Sequence, residues 1–311
     1  PTTHIPITTS DSMSADQLLR VQCLQLLCPV SAGGSLDAPH SSDVEEESQA
    51  PQRILCSDVS FSLSRGRRVL VQGPTGSGKS TLVRTLLGLH AAAGANALPH
   101  CPRACETVAS DTVNWKPGTR VFVVPQHPFI PLQCSLRELL LFPSSPAAGT
   151  RQNTQEHLLH PRLRSHTDSD LVHLLSWMHL KHLLRDVEVG PVEPPSTWLA
   201  ALLQAAGAPQ TEQGPYTSAG CSDLVRCLDA PGADWHLVLS PGEAQRVAAI
   251  RLLLHAPTVA VLDEATSALD EDMQGRVMDA VVGTGAAVLS VGHRGSLSRW
   301  HDTVLNTQQW Q

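Results

Sequence analysis

The stretch that decides the fold is "RVLVQGPTGSGKSTLVRTLLGLH", residues 68–90. An apolar run, Val69 to Val71, reads as a buried strand. A glycine-rich turn follows, and then apolar residues at helical spacing from Lys79 onward. The turn, Gly73, Pro74, Thr75, Gly76, Ser77, Gly78, Lys79 and Ser80, fits the spacing G-x-x-x-x-G-K-[ST] in the strand–turn–helix setting that gives the motif its chemistry. Glycines let backbone N–H groups turn inward around phosphate oxygens, and the helix N-terminus adds partial positive charge. Lys79 is expected to reach the β and γ phosphates and Ser80 to put its hydroxyl on Mg²⁺, with Thr81 adding a further contact. A glycine-rich turn with an incidental lysine is the bland alternative, and the flanking strand and helix weigh against it.

Mg²⁺ also needs a carboxylate. "TVAVLDEATSALD", residues 258–270, brings an apolar strand to an end at Asp263, which places that carboxylate at the carboxyl edge of a sheet, where α/β folds bind ligands. Glu264, the next residue, is then a candidate general base or orienter for an attacking water. "DEATS" also suits a helix cap; the two readings coexist.

Outward from these two motifs, strands alternate with helices. "RVQCLQLL" (20–27), "DVSFSLSRG" (58–66) and "TRVFVVPQ" (119–126) read as strands, "DLVHLLSWMHLKHLL" (170–184) and "TWLAALLQAA" (197–206) as helices. The last quarter reads as helix 242–255, strand 258–262, helix 271–282 and strand 286–291. This order predicts an α/β core with a largely parallel sheet, an antiparallel flank from the two strands before the glycine-rich turn, and a helical subdomain at about 127–257. Residues 1–53 read as one strand plus a disordered insertion rich in Ser, Pro and acid, and 54–311 as the main domain. Low-complexity insertions are expected at about 91–118, 143–170 and 186–233.

Composition narrows the function. The net charge of −7 gives no support to a nucleic-acid surface. The eight Cys lack zinc-ribbon spacing, and the fifteen His, including the run "HLLHPRLRSH" (157–166), sit among loop residues. No apolar run is long enough to span a bilayer. Ser41 and Ser42 precede "DVEEE", where a solvated acidic loop and a phosphorylation site both fit.

A second turn, "LSPGEAQR" (239–246), resembles a phosphate loop without its lysine. Ser240 as N-cap, Pro241 at the first helical position and Glu243 three residues after the serine make a capping box, so a well-started helix explains it locally. With its companions, the chain resembles an ATP-binding cassette (ABC) ATPase. The resemblance implies that Ser240, Pro241, Gly242 and Glu243 form the signature turn that contacts the γ-phosphate held by a partner subunit, two domains meeting head to tail around two ATP molecules. It implies that Gln126 in "VVPQHPF" senses Mg²⁺ and water and links to the membrane part. Asp270 of "SALD" then lies at the dimer seam, and His293 of "LSVGHR" is the switch histidine that orients Glu264. The metal set is thus Ser80, Gln126 and Asp263, the catalytic set Glu264, His293 and Gln126, and the ligands ATP and Mg²⁺.

"RVFVVPQHPFIPLQCSLRELLLFP", "DWHLVLSPGEAQR" and "VLSVGHRGSLSRWHD" are similar to subfamily D, the half-transporters of peroxisomes and lysosomes. Pro241 in place of the usual second glycine resembles the branch of the lysosomal cobalamin exporter. The resemblance implies an ATP-hydrolysing domain of a half-transporter on the cytosolic face of an organelle membrane (peroxisome, lysosome or plastid) or of a bacterial inner membrane. Its partners would be a second such domain and a transmembrane domain, upstream or on another chain, and no nucleic acid. A soluble ABC-type ATPase and a catalytically degenerate partner subunit are the rival readings. The chain departs from the family in having no aromatic before Phe61 to stack on adenine; Pro29 or Val30 falls near that position. Weak selection for adenine over guanine is therefore expected.

Overall fold

The computed structural model describes residues 13–29, 52–89, 113–144, 165–184, 193–207, 226–230 and 232–310. The acidic insertion with Ser41 and Ser42, Val30, Cys101, Cys105, Cys221, most of the histidine-rich run and most of the three low-complexity stretches lie outside those residues. The chain divides into two compact units. The first takes residues up to Ser64, Val71–Pro117 and Leu305 onward, and the second takes Arg65–Leu70 and Gly118–Val304.

In the first unit, β1 (Gln17–Pro29) pairs antiparallel with β2 (Gln52–Ser64) and with the short β4 (Val113–Trp115), in the order β2-β1-β4. This is the antiparallel flank. Val21 and Leu24 are both buried although an odd spacing should send them to opposite faces. The register shifts between them, with Cys23 at φ 49° and its N–H donating to Ser60 Oγ at 2.9 Å. This irregularity returns Leu24 to the inner face. Helix α1 (Lys79–Leu86) packs on β1 through its buried apolar side chains Leu82, Val83 and Leu86. It stops short of His90, where apolar spacing alone would carry it. Gly88 at φ 71° terminates it, and Leu89 N–H returns to Arg84 O at 2.8 Å. Trp115 Nε1 donates to Leu86 O at 2.8 Å, satisfying one of the helix's last carbonyls.

A five-stranded sheet has the order β5-β6-β7-β3-β8, where β3 is Arg68–Gln72, β5 Val121–Val124, β6 Val259–Asp263, β7 Ala287–Gly292 and β8 Thr303–Asn306. Strands β5, β6 and β7 run parallel, with Val124 opposite Leu262 and Asp263 opposite Val291. Near-continuous apolar runs suit strands covered on both faces. The helices are α2 (Leu136–Leu141), α3 (Asp168–Trp177), α4 (Thr197–Ala205), α5 (Trp235–Val238), α6 (Pro241–His255) and α7 (Glu271–Gly283). One apolar core runs through them, from Leu139 and Leu174 to Ile250, Leu262 and Val288.

A second helix also departs from the pattern in the sequence. The helix expected at 170–184 is α3 followed by a separate 3-10 turn at Lys181–Leu184. His179 takes φ 54° between them, and Leu180 N–H closes onto Leu175 O at 2.7 Å. Helix α2 has its own capping box, Ser135 with Glu138. No helix among the described residues is long and apolar enough to cross a membrane.

Arg251 of α6 is a buried cation whose Nε and NH1 donate to Leu139 O and Phe129 O, each at 2.7 Å. Its guanidinium also lies 5.3 Å from the Phe142 ring centroid. Burial pulls its pKa down to about 10, against a raising contribution from Cys134. By these bonds α6 fixes the segment that leaves β5 through Gln126.

Candidate functional site

The first unit holds the glycine-rich turn. Gly76 and Gly78 take φ 81° and 87°, conformations that side-chain-bearing residues rarely adopt. Gly73 is required for a different reason: a Cβ there would sit 1.8 Å from Thr307 Oγ1. Gly78 is the N-cap of α1, with no side-chain cap, and the first turn of the helix has no acidic residue. The helix N-terminus is therefore left to an anion. Lys79 is only 5% exposed, and its ammonium donates to Gly73 O at 3.0 Å and Pro74 O at 2.8 Å. The lysine charge thus sits inside the turn's own curve, backed by its carbonyls. Ser80 and Thr81 follow in the first turn of α1, partly exposed.

In the second unit, three side chains meet just beyond the carboxyl ends of three parallel strands: Gln126 after β5, Glu264 after β6 and His293 after β7. Gln126 Nε2 donates to Glu264 Oε2 at 2.9 Å. His293 Nδ1 lies 3.6 Å from Glu264 Oε1, ion-pair range but long for a hydrogen bond. Glu264 is 18% exposed and His293 53%. Glu264 takes φ 49°, a left-handed conformation costly for a residue with a side chain. Its N–H donates to Val291 O at 3.0 Å and its carbonyl accepts Ser267 N–H at 3.0 Å, so the backbone leaves the sheet in a defined turn. Asp263, the last residue of β6, is partly buried opposite Val291.

The signature turn opens α6 in the same unit. Ser240 Oγ accepts Glu243 N–H at 3.3 Å and donates to Glu243 Oε2 at 2.7 Å, while Ser240 N–H donates to the same oxygen at 2.8 Å. The capping box read in the sequence is therefore built. His182 Nε2 lies 2.7 Å from Glu243 Oε1, and Arg246 NH2 3.9 Å from the same atom. Burial alone would raise the Glu243 carboxyl, but the Ser240 hydrogen bonds and the His182 and Arg246 charges hold it below the usual carboxylate range. Pro241 occupies the first turn of α6. A Cβ on Gly242 would come within 3.0 Å of Ala268 O, so the helix start lies close against the 267–269 turn. Asp270 caps α7, its Oδ1 accepting Met273 N–H at 2.7 Å.

Two residues in this region carried no sequence signal of their own. Gln245, 3% exposed, donates from Nε2 to Ser267 Oγ at 3.1 Å and accepts Ala268 N–H at 3.0 Å. Arg294 NH1 donates to Leu269 O at 2.9 Å and its NH2 to Ser267 O at 2.6 Å. Both lie inside stretches quoted above for their family likeness, but polar residues in such positions look like any solvated side chain until the turn they hold is seen.

A family model described as ABC transporter matches residues 56–192. An uncharacterized ABC transporter ATP-binding protein of Synechocystis is 28% identical over 83% of this chain and 29% of its own length. ATP-binding cassette sub-family D member 3 of Homo sapiens is 28% identical over 81% and 28%. ABC transporter D family member 1 of Dictyostelium discoideum is 27% identical over 81% and 26%. The chain therefore spans less than a third of the length of each of these relatives. Among solved structures, a bacterial Atm1-family ABC exporter with ATP bound superposes with a TM-score of 0.52 at 17% identity, over 98% of this chain and 39% of that one; at that identity the likeness concerns the fold. The chain has the α/β fold of an ABC ATPase, with its parallel sheet and antiparallel flank, and is similar over residues 56–192 to ABC transporter ATP-binding domains and distantly to members of subfamily D.

Proposed function

We propose that this domain binds and hydrolyses Mg²⁺-ATP in a head-to-tail dimer and so drives an ABC half-transporter of the subfamily D kind. The observation that carries the reading is the Glu264 carboxylate, held at 2.9 Å by Gln126 and flanked at 3.6 Å by His293 beyond the carboxyl ends of parallel strands. A base for phosphoryl transfer must be positioned more than it must be reactive.

The roles follow from the chemistry of each group. Backbone N–H groups of Gly73 and of Thr75 to Thr81, with the Lys79 ammonium, take the phosphate charge. The Ser80 hydroxyl, the Asp263 carboxylate and the Gln126 amide oxygen are oxygen donors, which suits a hard cation such as Mg²⁺. That cation would neutralise phosphate charge during transfer. Glu264 takes a proton from the attacking water as a bond forms from its oxygen to the γ-phosphorus. The bond from that phosphorus to the β–γ bridging oxygen breaks, and ADP and phosphate leave. His293 steadies the Glu264 carboxylate and the transferred group. Ser240 and the Gly242 backbone, with Pro241 and Glu243 shaping the turn, contact the nucleotide held by the other chain, and Asp270 lies at the seam.

Likeness to subfamily D relatives supports an organelle membrane or bacterial inner membrane setting, with a transmembrane domain reached through the Gln126 segment. Pro241 supports the branch of the lysosomal cobalamin exporter. The test is the concentration dependence of Mg²⁺-ATP hydrolysis. Turnover per chain should rise with chain concentration and then saturate; turnover independent of concentration would remove the dimer from the proposal.

A further inference from the structure

The Ser267–Leu269 turn is gripped from two sides, and neither grip belongs to the roles assigned above. Two backbone bonds within it, Ser267 N–H to Glu264 O at 3.0 Å and Leu269 N–H to Thr266 O at 3.2 Å, shape the turn itself. Four other polar atoms, Ser267 Oγ, Ser267 O, Ala268 N–H and Leu269 O, go to side chains from elsewhere. Gln245 takes the hydroxyl and the N–H; Arg294 takes the two carbonyls in a fork. Gln245 stands in the second turn of α6, rigidly joined to the Ser240–Glu243 start of that helix. Arg294 is bonded covalently to His293. The Gln245 amide also lies 3.4 Å from both Gln126 O and Glu264 O, at the node where the three segments meet.

We propose that Gln245 and Arg294 are positioning residues that gear the signature turn to the His293–Glu264 pair through the Ser267–Leu269 turn. A displacement of the start of α6 carries Gln245, Gln245 carries the turn, and the turn carries Arg294 with His293 behind it. An added Cβ at Gly242 would come within 3.0 Å of Ala268 O, so the space between the helix start and the turn is small along the same line. This inference rests on the reading of Glu264 as the base. Under that reading, contact of Ser240 with the partner's phosphate sets the distance between His293 and the Glu264 carboxylate, and catalysis waits for dimer closure.

The experiment compares Q245A, R294M, R294K and Q245A/R294M in the full chain, by steady-state hydrolysis and by amide hydrogen exchange of the nucleotide-free protein. R294M removes a charged donor from two carbonyls, and kcat should fall by about 10-fold or more while the affinity for a fluorescent ADP analogue stays the same. Lysine keeps the charge but not the fork, so R294K should recover part of the loss. The double variant should be no slower than the slower single one, because either break disconnects the same train. Exchange should rise across 291–295 in Q245A and across 242–246 in R294M. If each substitution loosens only its own segment and the kcat losses multiply, the gearing is wrong. If the exchange effects cross over but the wild type hydrolyses no ATP, the gearing stands and the reading of Glu264 as base falls.

Discussion

Replacing Gly73 by alanine tests whether the glycine-rich turn is seated as described. The added Cβ would lie 1.8 Å from Thr307 Oγ1 and 3.0 Å from both Thr307 Cβ and Ser77 Oγ. Reaching even the 3.0 Å limit requires a retreat of about 1.2 Å, and Thr307 is 1% exposed, so the threonine has little room to yield. Overpacking of this kind costs about 1–3 kcal/mol. At a urea slope of about 3 kcal/mol/M, the unfolding midpoint should fall by roughly 0.3–1 M. The turn, not the buried threonine, is the freer party, and a displacement of about 1 Å there lowers turnover by on the order of 100-fold. Thr307 supplies the control. Among the described residues its Oγ1 is buried without a hydrogen-bond partner, so Thr307→Ala alone should be close to neutral. Added to Gly73→Ala it should recover most of the lost midpoint, since the 1.8 Å clash is removed and only the 3.0 Å contacts with the Cβ of residue 307 and with Ser77 Oγ remain. A Gly73→Ala midpoint equal to wild type, or a double variant as unstable as Gly73→Ala alone, would refute this packing.

Two other expectations concern pH and nucleotide choice. Burial, against a raising hydrogen bond to Leu297 O, holds the His301 imidazole below its ordinary 6.5, with Nε2 against Ser290 Oγ at 2.7 Å. The unfolded chain therefore takes up this proton first. The stabilising contribution of neutral His301 is present above pH 6.5 and drains away as pH falls through the lower folded value. Denaturation midpoints measured from pH 7.5 to 5 should fall less steeply in His301→Gln than in wild type; parallel curves would exclude the effect. For nucleotide choice, the lack of an aromatic before Phe61 predicts GTP turnover close to ATP turnover at equal concentration, and a strong ATP preference would show that apolar packing alone selects adenine.

The parts of this fold that were legible in the sequence are those written in short-range chemistry. The strand–turn–helix of residues 68–86 has glycines where positive φ is needed and a lysine where a phosphate charge would be met. The alternating strands before it pair antiparallel as read, and the apolar runs ending at Val124, Asp263 and Gly292 are the parallel strands β5, β6 and β7. Capping chemistry was legible too at Ser240–Glu243, and the structure builds it. Other features depend on contacts far away in sequence. The Cys23 irregularity that lets Val21 and Leu24 share a face is set by pairing with β2. The break at His179 is a backbone choice that apolar periodicity does not report. β4 and β8 are three and four residues long and exist because they have neighbours to pair with. Gln245 and Arg294 gain meaning only once Ser267–Leu269 is folded between them.

The central claim is that Glu264 is the base for a hydrolysis that reopens an ATP-closed dimer. The most direct measurement combines sedimentation and hydrolysis for Glu264→Gln with Mg²⁺-ATP. Glutamine keeps the side-chain shape and can still accept from Gln126 Nε2, but it cannot take a proton from water. The variant should lose about 100-fold or more of its turnover and sediment as a dimer with ATP and as a monomer with ADP. Turnover equal to wild type, or a monomer in saturating ATP, would contradict the account.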